Sequence, residues 1–191
     1  MAKPVIEYDF NHPKWIKKAK RSFTMFDMNS KDGRVDYQDF SSMLRDVAAM
    51  CKPSKAELEN GYRILEKAAK EIGIGPNDMG LNLEEWIEGT RKFGTAELAR
   101  EARGEPMMFK MFHNAEFDIV DTNKNGTIDL GELTVMCQAH AKVDDAKCKI
   151  AFDKIDKNKD GVISRKEFVD TYFENFFSIN DIDLFGDNYD I

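Results

Sequence analysis

The sequence predicts an all-α protein of four helix–loop–helix units arranged as two pairs, and three observations lead there. Asp121–Glu132 and Asp156–Glu167 spell one twelve-residue pattern: side-chain oxygens at positions 1, 3 and 5, glycine at 6, isoleucine at 8 and glutamate at 12. Apolar residues at helical spacing run up to and away from each copy. Two weaker copies, around Gly33 and Leu81, precede them in the N-terminal half.

His12 to Phe26 reads as an amphipathic helix, with Trp15, Ile16, Ala19, Phe23 and Phe26 at helical spacing. After the loop Asp27–Asp39, the run from Tyr37 to about Met50 carries Phe40, Met43, Leu44 and Val47. Ser54-Lys-Ala-Glu57 is a capping box that opens a third helix reaching Ile72, and Gly73-Ile-Gly-Pro-Asn breaks it. A fourth helix starts near Leu83 and carries Trp86, Ile87 and Phe93. Arg103-Gly-Glu-Pro106 reads as a linker, so the expected units are an N-terminal pair over 1–102 and a C-terminal pair over 103–178, with 179–191 a tail packed on the core. Met107–Val120 and Leu130–His140 frame the first strong loop; Val143–Ile155 and Lys166–Phe177 frame the second. Position 8 of each loop is an apolar β-former whose backbone can exchange two hydrogen bonds with its partner loop. Ile128 is therefore expected to face Ile163, and Val35 to face Leu81, in short two-residue β-bridges.

The ligand pattern fits a hard cation. Calcium takes six to eight oxygens at about 2.3–2.6 Å; glycine at position 6 gives the sharp turn, and glutamate at 12 gives two oxygens at once. In the third loop the ligands are Asp121, Asn123, Asn125 and Glu132, with the Thr127 carbonyl and Asp129 or its water. In the fourth they are Asp156, Asn158, Asp160 and Glu167, with the Val162 carbonyl and Ser164. Three carboxylates per loop suggest dissociation constants on the order of 10⁻⁷–10⁻⁵ M.

In the second loop, counting back from Leu81 and Glu85 puts Ile74, Pro76, Asp78 and Met79 at positions 1, 3, 5 and 6, so it is expected to be structural and ion-free. The first loop is ambiguous. Gly33, Val35 and Asp39 fall at positions 6, 8 and 12, but Asp27 lies six residues before Gly33 instead of five. Strict register gives Met28 and Ser30 at positions 1 and 3, a poor site. A backbone bulge would let Asp27 and Asn29 join Asp32, Asp36, the Arg34 carbonyl and Asp39 around a third ion. Asp39 is a carbon shorter than glutamate, which hinders bidentate contact and tilts this loop toward weaker calcium binding or toward magnesium.

Composition narrows the function classes. The formal charge is −7, with 35 acidic and 28 basic residues, which argues against a nucleic-acid surface. No long apolar run suggests a membrane span. Cys51, Cys137 and Cys148 are odd in number and widely spaced, with no disulfide framework or zinc spacing, and read as free thiols. Met1–Phe10 lacks the apolar region of a secretory leader and Ala2 replaces the glycine of a myristoylation pattern, so a cytoplasmic chain is expected. The basic run Lys14, Lys17, Lys18, Lys20 and Arg21 reads as a solvated face, with contact to a membrane or partner the alternative.

Four hands in 191 residues, a degenerate second loop ending Glu84-Glu85-Trp86, strong third and fourth loops and the tail Phe176-Phe177-Ser-Ile-Asn-Asp-Ile-Asp-Leu-Phe-Gly186 together resemble the invertebrate sarcoplasmic calcium-binding proteins. That EF-hand group has calexcitin, coelenterate luciferin-binding proteins and calcium-regulated photoproteins as relatives. The resemblance implies a compact monomer whose halves pack face to face and whose tail folds back over the core. It covers nearly the whole chain; the extra residue in the first loop departs from it.

Four functions follow for comparison. The first is a cytosolic calcium buffer or signalling protein, with the 14 Phe and 10 Met as packed core. The second is a carrier whose interior holds an imidazopyrazinone luciferin, with His12, Trp15, Trp86 and His113 as the polar candidates. The third, a luciferin-oxidising photoprotein, needs by resemblance a C-terminal histidine–tryptophan–tyrosine cluster and a terminal proline. The chain has no histidine after His140, no tryptophan after Trp86, and ends in Ile191. The fourth is a sensor that opens to grip a target helix, against which Ile182, Leu184 and Phe185 of the tail could fill the groove in cis. No Ser/His/Asp or Cys/His arrangement points to other catalysis, and no enzyme is expected.

Overall fold

Each stretch with helical apolar spacing becomes a helix. In the computed structural model, which describes residues 6–28, 30–141, 143–180 and 184, these are α1 (Pro13–Phe26), α2 (Tyr37–Cys51), α3 (Lys55–Ile72), α4 (Leu83–Ala102), α5 (Met108–Val120), α6 (Leu130–Ala141), α7 (Asp145–Ile155) and α8 (Arg165–Phe177). Two short strands, β1 (Thr127–Ile128) and β2 (Ile163–Ser164), complete the described elements. The bounds agree with the sequence reading to within a residue or two.

The loops and the helices that leave them share residues. Asp36 caps α2 and Asp39 bonds back to the Asp36 amide; Asn82 and Glu85 do the same for α4, and Ser164 and Glu167 for α8. In the third loop the Asp129 amide donates to Glu132 at 3.2 Å and the Glu132 amide to Asp129 at 2.9 Å. Positions 9 and 12 of every loop are thus the N-cap and third residue of the exit helix. This reciprocal pairing satisfies two otherwise orphaned amides. It also fixes where the position-12 carboxylate points.

The loops pair as expected. β1 and β2 run antiparallel with Ile128 opposite Ile163, and Val35 and Leu81 form an isolated antiparallel bridge with both hydrogen bonds at 2.9 Å. α3 lies on α5 and α2 on α6, so helices of the N-terminal hands pack on helices of the C-terminal hands. The buried side chains form one cluster that includes Phe26, Trp86, Phe117, Phe168 and Phe177.

Three polar contacts tie distant segments together. Glu97, fully buried, accepts the Met108 and Phe109 amides at 3.1 and 2.8 Å, capping α5 where Met107 offers no cap of its own. Arg100 neutralises that carboxylate at 2.6 Å and also binds Glu71. The Ile179 amide donates to the Glu7 carbonyl at 3.0 Å. Lys18 donates to the Ser178 and Asn180 carbonyls at 3.0 and 2.8 Å. At Lys18 the basic run is therefore an internal clamp on the C-terminal end of α8, where a cation suits the helix dipole, and the solvated-face reading is corrected there.

Leu184 is buried and its amide donates to the Asn175 side chain at 3.3 Å. Ile182 and Phe185 of the expected tail lie outside the described residues. Among the described residues no helix is long and apolar enough to cross a membrane, and all three cysteines are free.

Candidate metal centres

In the third loop the position-1 carboxylate organises the turn. Asp121 Oδ1 accepts the Asn125 amide at 3.1 Å and Oδ2 the Gly126 amide at 2.9 Å. Asn123 Oδ1 accepts the Asn125 amide at 3.0 Å, and Asn125 Oδ1 the Thr127 amide at 2.9 Å. Glu132 reaches back over the loop, taking the Thr122 and Asn123 amides and the Thr122 hydroxyl. The fourth loop repeats this scheme. Asp156 takes the Asp160 and Gly161 amides at 3.2 and 3.0 Å. Asn158 takes the Asp160 amide at 2.8 Å, and Asp160 the Val162 amide at 3.0 Å. Glu167 accepts the Asn158 amide at 3.2 Å and the Ser164 amide and hydroxyl at 2.9 and 2.6 Å. Burial, the largest single influence, raises the Glu167 carboxyl, but its hydrogen bonds from Ser164 and Asn158 together leave it below the usual glutamate value.

The first loop has the same frame from position 4 onward. Lys31, Lys124 and Lys159 at position 4 have φ of +54°, +57° and +60°, and Gly33, Gly126 and Gly161 at position 6 have +80°, +86° and +88°. Left-handed lysines are costly for L-residues, so their recurrence marks a common loop geometry. The extra residue therefore lies ahead of Lys31. Asp27 Oδ1 accepts the Asp32 amide at 3.1 Å and Oδ2 the Gly33 amide at 3.2 Å, the bonds that Asp121 and Asp156 make in their own loops. Carboxylate oxygens of Asp27, Asp32 and Asp39 lie within 4.8 Å of one another.

The Ser30 hydroxyl, which sequence reasoning did not single out for this role, bridges Asp27 and Asp39 at 3.0 and 3.1 Å. Burial pushes the Asp39 carboxyl up, and the charges of Asp36 and Asp27 add to this against its hydrogen bonds from Ser30 and the Asp36 backbone. Asp39 is buried, Asp27 half-buried and Asp32 exposed, and a cation among them would offset the mutual repulsion of their charges. The donor set, all oxygen and convergent, fits a hard divalent ion. Asn29 lies outside the described residues; Asp36 caps α2.

The second loop is closed differently. Asp78 accepts the Gly75 amide at 2.7 Å, Met79 at position 6 is 84% exposed, and Ile74 at position 1 is buried in the core. The Arg34 guanidinium crosses from the first loop to this one. In the antiparallel bridge the residue before Val35 lies opposite the residue after Leu81, so register alone does not place this side chain against Met79 and Gly80.

The interior candidates divide into two kinds. His12 caps α1, its Nδ1 accepting the Lys14 amide at 3.1 Å. Trp86 Nε1 donates to the Ala19 carbonyl and the Ser22 hydroxyl, both at 3.1 Å. Both have local structural duties. Trp15 Nε1, Thr171 Oγ1 and Tyr172 OH, in contrast, are buried with no hydrogen-bond partner among the described residues. Each such orphan costs about 1–3 kcal/mol. His113 is buried, 2.7 Å from Glu116 through Nδ1 and stacked on Tyr172 at 4.9 Å. Tyr172 was not singled out in the sequence, since an aromatic at helical spacing from Phe168 reads as plain core. Ring contacts run from Trp15 through Phe10, Phe177, Phe109 and His113 to Tyr172, with centroids 4.3–6.1 Å apart.

Known proteins share this fold and part of this sequence. Residues 109–173 match the EF-hand domain pair. The luciferin-binding protein of Renilla reniformis is 25% identical over 170 residues, covering 88% of this chain and 89% of that protein. The structure of magnesium-loaded apo-berovin, a light-sensitive ctenophore photoprotein whose three Ca²⁺-binding loops all bind magnesium, aligns at TM-score 0.73 with 28% identity, covering 83% of this chain and 86% of that one. The structure of apoaequorin in complex with (S)-HM-daCTZ shares the fold, at TM-score 0.86 and 22% identity over 99% of this chain and 98% of that one. These are relatives of the kind that the resemblance implied. With two complete ligand loops paired through Ile128 and Ile163, and a family match that spans both, residues 109–173 of the chain form a calcium-binding EF-hand domain pair.

Proposed function

We propose that loops 1, 3 and 4 each take one calcium ion, that loop 2 takes none, and that the chain is a monomeric, cytoplasmic buffer or signalling protein of the sarcoplasmic type with no catalytic activity. Its two pairs of hands, 1–102 and 103–178, work as one packed body. The ligands are Asp121, Asn123, Asn125, Thr127, Asp129 and Glu132; Asp156, Asn158, Asp160, Val162, Ser164 and Glu167; and, in the first loop, Asp27, Asn29, Asp32, the Arg34 carbonyl, Asp36 and Asp39, with the Ser30 hydroxyl beside them. The observation that carries the third ion is the Asp27 carboxylate, which gathers the Asp32 and Gly33 amides despite the extra residue. The three occupied loops of berovin support the count. Calorimetric titration of the metal-free protein should give three equivalents of calcium, and Asp27→Ala two. Two equivalents in both proteins would retire the first-loop site.

A second reading is favoured by the unpartnered Trp15 Nε1 and Tyr172 OH at the two ends of the aromatic path. Here the chain also carries a small hydrophobic molecule that offers hydrogen-bond acceptors to both, as an imidazopyrazinone luciferin does. The Renilla relative supports it. Mixing the metal-free protein with that luciferin should give a bound visible chromophore, weakened by Trp15→Phe or Tyr172→Phe. No bound chromophore at saturating luciferin would dispose of the carrier.

A further inference from the structure

Arg34 belongs to two loops at once. Its carbonyl is position 7 of the first loop, where the twelve-residue pattern takes a backbone ligand. Its side chain leaves in the other direction. Nε donates to the Met79 carbonyl at 2.8 Å and the Gly80 carbonyl at 3.1 Å, and Nη2 donates to the Gly80 carbonyl at 2.5 Å and to Glu85 Oε2 at 3.2 Å. Counted from the bridging Leu81 at position 8, Gly80 is position 7 and Glu85 position 12 of the second loop. Those are two of the oxygens that a loaded loop gives to its ion.

We infer that the Arg34 guanidinium is the resident cation of the second loop and a positioning residue for the ion of the first. The chemistry suits the role. Guanidinium is permanently charged and planar, and its fork can bond a carbonyl and a carboxylate together. The ion pair alone would count for little, because the Arg34 and Glu85 side chains are 34% and 50% exposed. The bonds to two main-chain carbonyls are what hold the loop.

Gly80 makes the approach possible: its φ is +75°, and a Cβ there would lie 2.7 Å from the Val35 carbonyl. Glu85 also accepts the Asn82 amide at 2.8 Å, so α4 starts as the exit helices of the complete loops do. The second loop thus keeps the exit geometry of a complete loop with an internal charge. Because Arg34 is also a first-loop ligand through its carbonyl, an ion there and the guanidinium in loop 2 hold the same backbone from both sides. This coupling rests on the first-loop ion proposed above; the resident-cation role does not.

The test uses the full chain with Arg34→Met, which keeps the stem and removes the charge, and Arg34→Lys, which returns a charge without the fork. Amide hydrogen exchange of residues 78–82 in calcium-free solution reads the resident cation alone. Arg34→Met should speed exchange there about tenfold or more, leaving residues 121–132 and 156–167 unchanged, and Arg34→Lys should recover part of the protection. Unchanged exchange at 78–82 in Arg34→Met, or no recovery at all in Arg34→Lys, would overturn the inference.

Calorimetry then reads the coupling. The third equivalent of calcium should weaken about tenfold in Arg34→Met, with the other two unaltered. If the wild type binds only two equivalents, the first-loop site fails while the exchange result still decides on Arg34. If it binds three and the third is as tight in Arg34→Met, the positioning role is overturned.

Discussion

In the C-terminal pair, Ile128 faces Ile163 and each loop gathers its own oxygens around its own turn; in the N-terminal pair, Val35 faces Leu81 in the same way, but the charges are distributed differently. One loop there draws three aspartates together despite an extra residue, and the other accepts a guanidinium from its neighbour. The backbone bridge is common to both pairs because it needs only an apolar β-former at position 8. A full set of oxygen donors is not common to all four loops, because it depends on which side chains sit at positions 1, 3, 5 and 12. The comparison separates two requirements that the motif combines: pairing holds the helices together, and oxygen donors select the cation. A loop can lose the second and still serve the first.

The largest expected effect tests the C-terminal pair. Glu132→Gln with Glu167→Gln removes the carboxylate charge at both position 12 residues, and the calorimetric count should fall by two while the first-loop equivalent survives. An unchanged count would break the site assignment at its strongest point. A smaller effect should come from lengthening the short ligand of the N-terminal pair. Asp39→Glu allows bidentate contact, so calcium affinity of the first loop should rise about tenfold and its preference for calcium over magnesium should grow. Equal affinities would mean that the extra residue, and not ligand length, limits this loop.

The smallest effect is on acidity. Protons compete with the ion for carboxylates; Asp39 is held above its ordinary value and Glu167 below. As pH falls, burial eases protonation of Asp39 and hydrogen bonds oppose it at Glu167, each relative to its ordinary value, so the first loop should prove the more acid-sensitive of the two. Following loop-specific amide resonances through an acid titration would show the order. Release from the fourth loop first would reverse the comparison.

Much of this was legible in the chain. Helices, bridges and the complete loops follow from local rules: a 3.6-residue apolar period, reciprocal caps such as Ser164 with Glu167, and ligands whose spacing is set within twelve consecutive residues. The first loop was only half legible. Spacing said that one residue was extra, but where the chain takes it up depends on which backbone amides the Asp27 carboxylate can reach. The orphaned Trp15 and Tyr172 were not legible as a pair, because they lie on helices far apart in sequence.

The sequence by itself determined the all-α architecture, the pairing of loops and the oxygen character of the third and fourth sites, since each of these is written within a few turns of chain. Tertiary structure alone decided that Asp27 joins Asp39 in one cluster, that Arg34 reaches the carbonyls beyond Asp78 and that Glu97 caps a helix after the linker. Those contacts depend on how separate segments approach one another in three dimensions, and an amino-acid order records such approaches only through the packing it produces.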